Sequence, residues 1–316
     1  MAFKKNPNKI EPWQLAQRQS LPLAAKVQMS EIRIRAWYSH WRGNVYVAFS
    51  GGKDSTVLLD MVQKIYPRVP AVFCDTGLEF PEIRDFVKTF DNVVWLKPKM
   101  NFRAVLKKYG YPVVSKRQAQ YLHECQRTKS SHMIQLRTTG IRKNGTFSSM
   151  SMISKKWQYL INAPFKVSDR CCKIMKKDPS KKYTKETGRM PFVGTMASDG
   201  VQREKTYLQY GCNAFDLTSQ PRSTPLAFWM EADIWAYIRE NNLPYSPIYD
   251  MGYKRTGCVF CAFGAHLEGR PNRFERLHKT HPKLHRYCMK TLGMQKVLDY
   301  CHVATVDKQL TFDIDA

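Results

Sequence analysis

No stretch of this 316-residue chain approaches the roughly 18 consecutive apolar residues that a membrane-crossing helix needs, which excludes a helical integral membrane protein. The opening residues, MAFKKNPNKIEPWQLAQ, carry no apolar stretch behind their lysines and no small-residue cleavage site. A secretory signal is therefore not expected, and the cytoplasm is the expected compartment. Internal repeats and low-complexity segments are missing, so a solenoid or an array is excluded. Acidic residues are scarce: 26 Asp and Glu stand against 51 Lys and Arg, a net charge of +25. Such a surface attracts polyanions.

What is present is enough for a sizeable core, with 43% hydrophobic and 12% aromatic residues. Residues 1–43 read as an amphipathic helical segment. VYVAFS (Val45 to Ser50), AVFCDT (Ala71 to Thr76) and VVWLKP (93–98) read as strands, alternating with helices at STVLLDMVQKIY and PEIRDFVKTF. That alternation predicts a doubly wound, mainly parallel α/β sheet over 44–250. MPFVGTMA returns to strand character, and MEADIWAYIRENN is an amphipathic helix. Between about 110 and 190 the pattern breaks into a basic insertion, whose TTGIRKNGTFSSMS turn suggests a hairpin. Residues 251–316 form a Cys-containing loop followed by short helices.

The first strand runs directly into SGGKDST (Ser50 to Thr56), which opens a helix. Gly51 and Gly52 let the backbone approach phosphate oxygens, the helix N-terminus adds partial positive charge, and Lys53 adds a full one. Ser50 and Ser55 offer hydroxyls, and Asp54 can cap the helix or meet Mg2+. The Walker A spacing, G-x-x-x-x-G-K-[ST], is absent.

SGGKDS at the end of a first strand resembles the signature of the PP-loop ATP pyrophosphatases, which share the adenine nucleotide alpha hydrolase (HUP) fold. FCDTGLEFPEI (Phe73 to Ile83) and FVGTMASDGVQREKTYLQYGCN resemble two later motifs of the phosphoadenylylsulfate (PAPS) reductase family within it. The resemblance implies ATP at the C-terminal edge of the sheet. It places Asp75 and Thr76 beside the nucleotide, Gly194 along the adenosine, and Arg203 as a phosphate clamp. Reductases of PAPS or adenylylsulfate usually carry a degenerate loop and a Glu-Cys-Gly tail. Here the loop is intact and the chain ends VATVDKQLTFDIDA. The resemblance therefore implies ATP cleavage to AMP and pyrophosphate, with Lys53, Asp54 and Arg203 as the catalytic set.

Cys171 and Cys172, in SDRCCKIMKKDP, and Cys258 and Cys261, in RTGCVFCAFG, supply four thiolates. That is the number a [4Fe–4S] cluster or a structural zinc requires. Adjacent cysteines suit tetrahedral zinc poorly, and iron–sulfur members of the resembled family share this CC and CxxC arrangement, so the cluster is the expectation and zinc the alternative. Cys125, in a basic helix, is a candidate for a depressed pKa. The C-terminal histidines, among them His281 and His285, read as helix-surface or cap residues.

The basic excess is concentrated in 97–190, where Tyr121, Trp157 and Tyr159 are interleaved with Lys and Arg, a pattern suited to nucleic acid. These readings combine into an ATP-dependent sulfurtransferase acting on tRNA or DNA. A cysteine desulfurase is a possible sulfur donor. The alternatives are a PAPS or adenylylsulfate reductase, and a non-catalytic protein that binds nucleotide and nucleic acid.

Overall fold

A computed structural model describes residues 9–216 and 221–306. The first eight residues of the expected N-terminal helical segment and positions 307–316 of the C-terminal tail lie outside the described residues. The chain divides into two compact units. The first comprises Met1–Asp75, Glu79–Lys97 and Pro179–Thr256, and the second Thr76–Leu78, Pro98–Asp178 and Gly257–Ala316.

The first unit holds a six-stranded sheet in the order Val93–Leu96, Ala71–Cys74, Val45–Ala48, Met190–Val193, Arg222–Ser223, Asn213–Ala214. All neighbours are parallel except the last pair. Val45, Val47, Ala71 and Phe192 are fully buried, as expected of parallel strands, whose two covered faces demand continuous apolar runs. The Lys53–Ile65 helix turns Val57, Leu58, Met61 and Val62 inward, spaced one turn apart. Trp37, on the Leu23–His40 helix, stacks on Phe215 with centroids 5.1 Å apart. Lys26 of the same helix is buried and meets Asp233 at 2.6 Å. The Asp233 carboxylate also accepts the Met230 N–H, capping the Glu231–Glu240 helix. The α/β expectation and its mainly parallel sheet match this architecture.

The second unit is organised around one short extended segment. Gly110 ends the Phe102–Tyr109 helix at φ +109°, and a Cβ there would lie 2.3 Å from the Lys166 carbonyl oxygen. Only glycine allows that approach, which lets Tyr111 N–H donate to Lys166 (2.8 Å) and Ser168 N–H to Tyr111 (3.0 Å). Two residues on, Val113–Val114 pairs in parallel with Ala262–Phe263. Residues 111–114 are thus flanked by the chain leading to Cys171 on one side and the chain leaving Cys261 on the other. Two cysteine pairs more than eighty residues apart in sequence are brought together this way. The turn-rich piece of the insertion forms a hairpin with an antiparallel bridge between Ile141 and Phe147.

Candidate functional site

The loop after Ala48 is built on bare backbone. Gly51 has φ +71°, and a Cβ there would meet Val87 Cγ2 at 2.7 Å. At Gly52 a Cβ would lie 2.7 Å from Thr256 Oγ1. Ser55 Oγ ties the loop together: it donates to the Gly52 carbonyl at 2.8 Å, accepts the Ser50 N–H at 3.1 Å, and lies 3.1 Å from Ser50 Oγ. Lys53 opens the helix, and its N–H donates to the Tyr249 hydroxyl at 2.8 Å.

The Lys53 side chain is buried, with Nζ 3.2 Å from Glu231 Oε1, 3.5 Å from Asp54 Oδ1, and donating to the Lys254 carbonyl at 3.3 Å. Its ammonium also lies 5.5 Å from the centre of the Tyr249 ring. Burial works against the charge, but Asp54, Tyr249 and Glu231 outweigh it and hold the lysine above its usual pKa. For Asp54, burial is the larger effect and pushes the carboxyl up, Lys53 opposes it, and Asp199 and Glu231 add to it. Asp54 Oδ1 is buried and takes no hydrogen bond. Among the described residues its one close partner is the Lys53 ammonium at 3.5 Å, and a carboxylate oxygen so placed suits Mg2+ as a hard cation.

Gly194 meets the loop from the Met190–Val193 strand, where a Cβ would sit 2.9 Å from the Asp54 carbonyl oxygen. Asp75 accepts from Arg84 at 2.9 Å. Thr76 opens the short segment assigned to the second unit, and its hydroxyl accepts the Leu78 N–H at 3.2 Å. Arg203 Nη1 pairs with Asp199 at 2.6 Å. Asp199 also faces Arg255, at 3.4 Å. Ser50, Gly51, Gly52, Lys53, Asp54, Ser55 and Gly194 therefore lie together as one group. Glu231, Tyr249 and Asp199 are residues that the sequence did not disclose. Glu231 is masked as the first residue of an ordinary amphipathic helix, and Tyr249 has no local pattern at all.

In the second unit Cys171, Cys172, Cys258 and Cys261 line one small cavity with Leu78, Phe102, Pro112, Met175 and Lys176. Among the described residues no three His, Cys, Asp or Glu side chains are gathered closely enough to hold a metal ion. The chemistry of the donors fits a cluster held by four cysteines: four thiols, an apolar wall that controls solvent, and lysines that offset thiolate charge. Cys171 donates to Cys172 across 4.0 Å. That hydrogen bond, helped by Lys116, Lys176 and Lys177, holds Cys172 down to about 6, and it keeps Cys171 protonated. Burial, with Cys258 beside it, pushes Cys261 up to about 11. A π-helical turn at Lys173–Lys177 follows the Cys pair, an irregularity frequent at functional sites.

Other expectations need correction. Cys125 is buried, and burial raises its pKa, so it is a packed thiol and not an activated one. His285 is buried as well, its Nε2 2.7 Å from the Thr305 carbonyl. Trp157 is buried edge-to-face against His266 and is not available to stack on a base.

The parallel sheet, with a Gly-Gly loop and a buried lysine at the helix N-terminus after its first strand, has the α/β architecture that the SGGKDST segment predicts. The phosphoadenosine phosphosulfate reductase domain matches residues 44–152 and 116–263, and the chain belongs to that family. It is 24% identical over 281 residues to adenosine 5'-phosphosulfate reductase of Anoxybacillus flavithermus, covering 87% of this chain and 97% of that one. It is 26% identical over 260 residues to an uncharacterised protein of Methanocaldococcus jannaschii, covering 79% of this chain and 49% of that one. The chain thus spans about half the length of that relative. Among solved structures, the PAPS reductase of Candida auris in its phosphate complex aligns at 20% identity and TM-score 0.44, covering 79% of this chain and 96% of that one.

Proposed function

We propose that this chain is an ATP-dependent sulfur-transfer enzyme that activates an oxygen on a nucleic acid. The observation that carries the reading is the complete phosphate loop, with Lys53 buried and charged 3.5 Å from an Asp54 oxygen. An acceptor oxygen would attack the α-phosphorus of ATP, and pyrophosphate would leave. A sulfur nucleophile would then take the activated carbon, and AMP would depart with the oxygen. Lys53 and the loop N–H groups stabilise charge that grows on the leaving phosphates, a role worth about 3 kcal/mol per well-placed donor. Asp54 would hold Mg2+, and Arg203, positioned by Asp199, would clamp a phosphate. Cys171, Cys172, Cys258 and Cys261 would hold a [4Fe–4S] cluster, which supplies a site for binding sulfur or passing electrons. The basic second unit supports a polyanionic acceptor.

A second reading, reduction of adenylylsulfate or PAPS, is favoured by the names of the curated relatives. The deciding experiment uses anaerobically purified protein. Pyrophosphate release from ATP is measured with tRNA, single-stranded DNA or duplex DNA, and sulfite release from adenylylsulfate with a thiol. Release of pyrophosphate stimulated by one polymer is expected. No release with any polymer, together with thiol-dependent sulfite, would replace this reading by the reductase.

A further inference from the structure

The second unit carries 27 Lys and Arg against 9 Asp and Glu, so that it holds +18 of the chain's +25. The imbalance is sharpest between residues 125 and 168, where there are eight Lys and Arg and no acidic residue. Within that stretch lies the hairpin. The Ser131–Thr139 helix ends at Gly140, φ +78°, and the chain reverses through Gly145, φ +76°. Arg142 N–H donates to the Thr146 carbonyl at 2.9 Å and Ser148 N–H to Gly140 at 2.9 Å, closing the ladder. Asn144 Oδ1 accepts from both the N–H and the hydroxyl of Thr146, which stiffens the tip.

Phe147 stands at the end of this ladder and is 66% exposed. Its ring lies over the bare backbone of Gly140, where a Cβ would meet Phe147 Cε2 at 2.9 Å. Glycine at 140 thereby leaves room for the ring, most of which is open to solvent. This exposed ring shares its hairpin with Arg142 and Lys143, on a segment with no carboxylate to neutralise them. An apolar protein partner would need to bury those charges. A polynucleotide needs both features: phosphates for the cations and a base for the ring.

We infer that the 140–148 hairpin is a contact for single-stranded nucleic acid, with Phe147 stacking on an unpaired base and Arg142 and Lys143 holding flanking phosphates. Duplex is disfavoured, because a stacked pair offers no free base face to a single ring at a hairpin end. This deepens the preceding reading by naming the part of the chain that holds its acceptor, and it rests on that acceptor being a nucleic acid.

The test measures binding of full-length protein to a fluorescein-labelled 12-nucleotide thymidine strand, and to its duplex with adenosine, across a series of salt concentrations. Phe147→Ala is expected to weaken single-strand binding about tenfold, the effect of one lost base stack, and Phe147→Trp to restore it. Replacing Arg142 and Lys143 together by Ala should lower the magnitude of the log–log salt slope by about 1.4, that of two single-strand phosphate contacts. The Kd for ATP should stay at the wild-type value in all three variants. Unchanged single-strand affinity in Phe147→Ala, or an equal loss on duplex, overturns the hairpin contact and leaves the ATP-dependent reading standing. Failure of the wild-type protein to bind any polynucleotide overturns both the hairpin contact and the nucleic-acid acceptor. Stacking on the single strand without pyrophosphate release in any condition overturns the reaction and keeps the contact.

Discussion

A buried ammonium is stable only where anions surround it, and Lys53 has Asp54 and Glu231 within 3.5 Å. Burial pushes the Asp54 carboxyl above the usual carboxylate range, and Asp199 and Glu231 add to that push against the pull of Lys53. Binding Mg2+ and phosphate together would relieve both conditions, since the cation answers Asp54 and the phosphate answers Lys53. Geometry at this scale depends on Gly194. A methyl group there meets the Asp54 carbonyl oxygen at 2.9 Å and Ser55 Cα at 3.1 Å, so the loop backbone must move. Gly194→Ala is expected to raise the Kd for ATP by tenfold or more while the thermal midpoint of the free protein falls by only a few degrees. Calorimetric titration and a melting curve check this, and an unchanged Kd would detach Gly194 from the nucleotide site. The sequence reveals the loop residues because SGGKDST is contiguous. Glu231, Asp199 and Tyr249 reach Lys53 or its neighbours from far along the chain, and no local pattern marks them.

At the scale of elements, the strands that carry the loop were legible because both sheet faces are covered and the runs VYVA, AVFC and MPFV are uninterrupted. The insertion was not. Its order comes from the close approach of Gly110 to Lys166 and from 3-10 and π turns, which have no hydrophobic period to read. Trp157 looks available for stacking in the sequence because burial cannot be read from alternation with lysines. The C-terminal helices hide a second such case in His285, packed 4.7 Å from the His278 ring and bonded to the Thr305 carbonyl. Burial lowers its pKa, the Thr305 bond partly opposes this, and His278 adds to it. The unfolded chain therefore takes up this proton more readily than the folded one. Stability is complete above the ordinary histidine range near 6.5 and is lost as pH falls through it. His285→Gln, which keeps a donor for Thr305, should reduce the fall in thermal midpoint between about pH 7.5 and 5.5. Equal falls in variant and wild type would show that this histidine does not carry the dependence.

Over the whole molecule, charge and chemistry are divided between the two units. The phosphate loop, its lysine and the Asp54 carboxylate lie in the first, and the four cysteines and most of the net positive charge in the second. Composition alone located the basic excess in 97–190, because charge counts need no knowledge of the fold. It could not single out Phe147 as the exposed ring, since exposure follows from the hairpin and from Gly140. The central claim is that this loop binds ATP and directs cleavage between its α- and β-phosphates. The most direct test compares AMP and pyrophosphate formation from α-labelled ATP by wild-type protein and by Lys53→Ala, with the preferred polymer present. The account predicts AMP and pyrophosphate in equal amounts from wild type, and a loss of about 100-fold or more in kcat/KM for Lys53→Ala, with its fold intact. AMP formation by Lys53→Ala at the wild-type rate would contradict it.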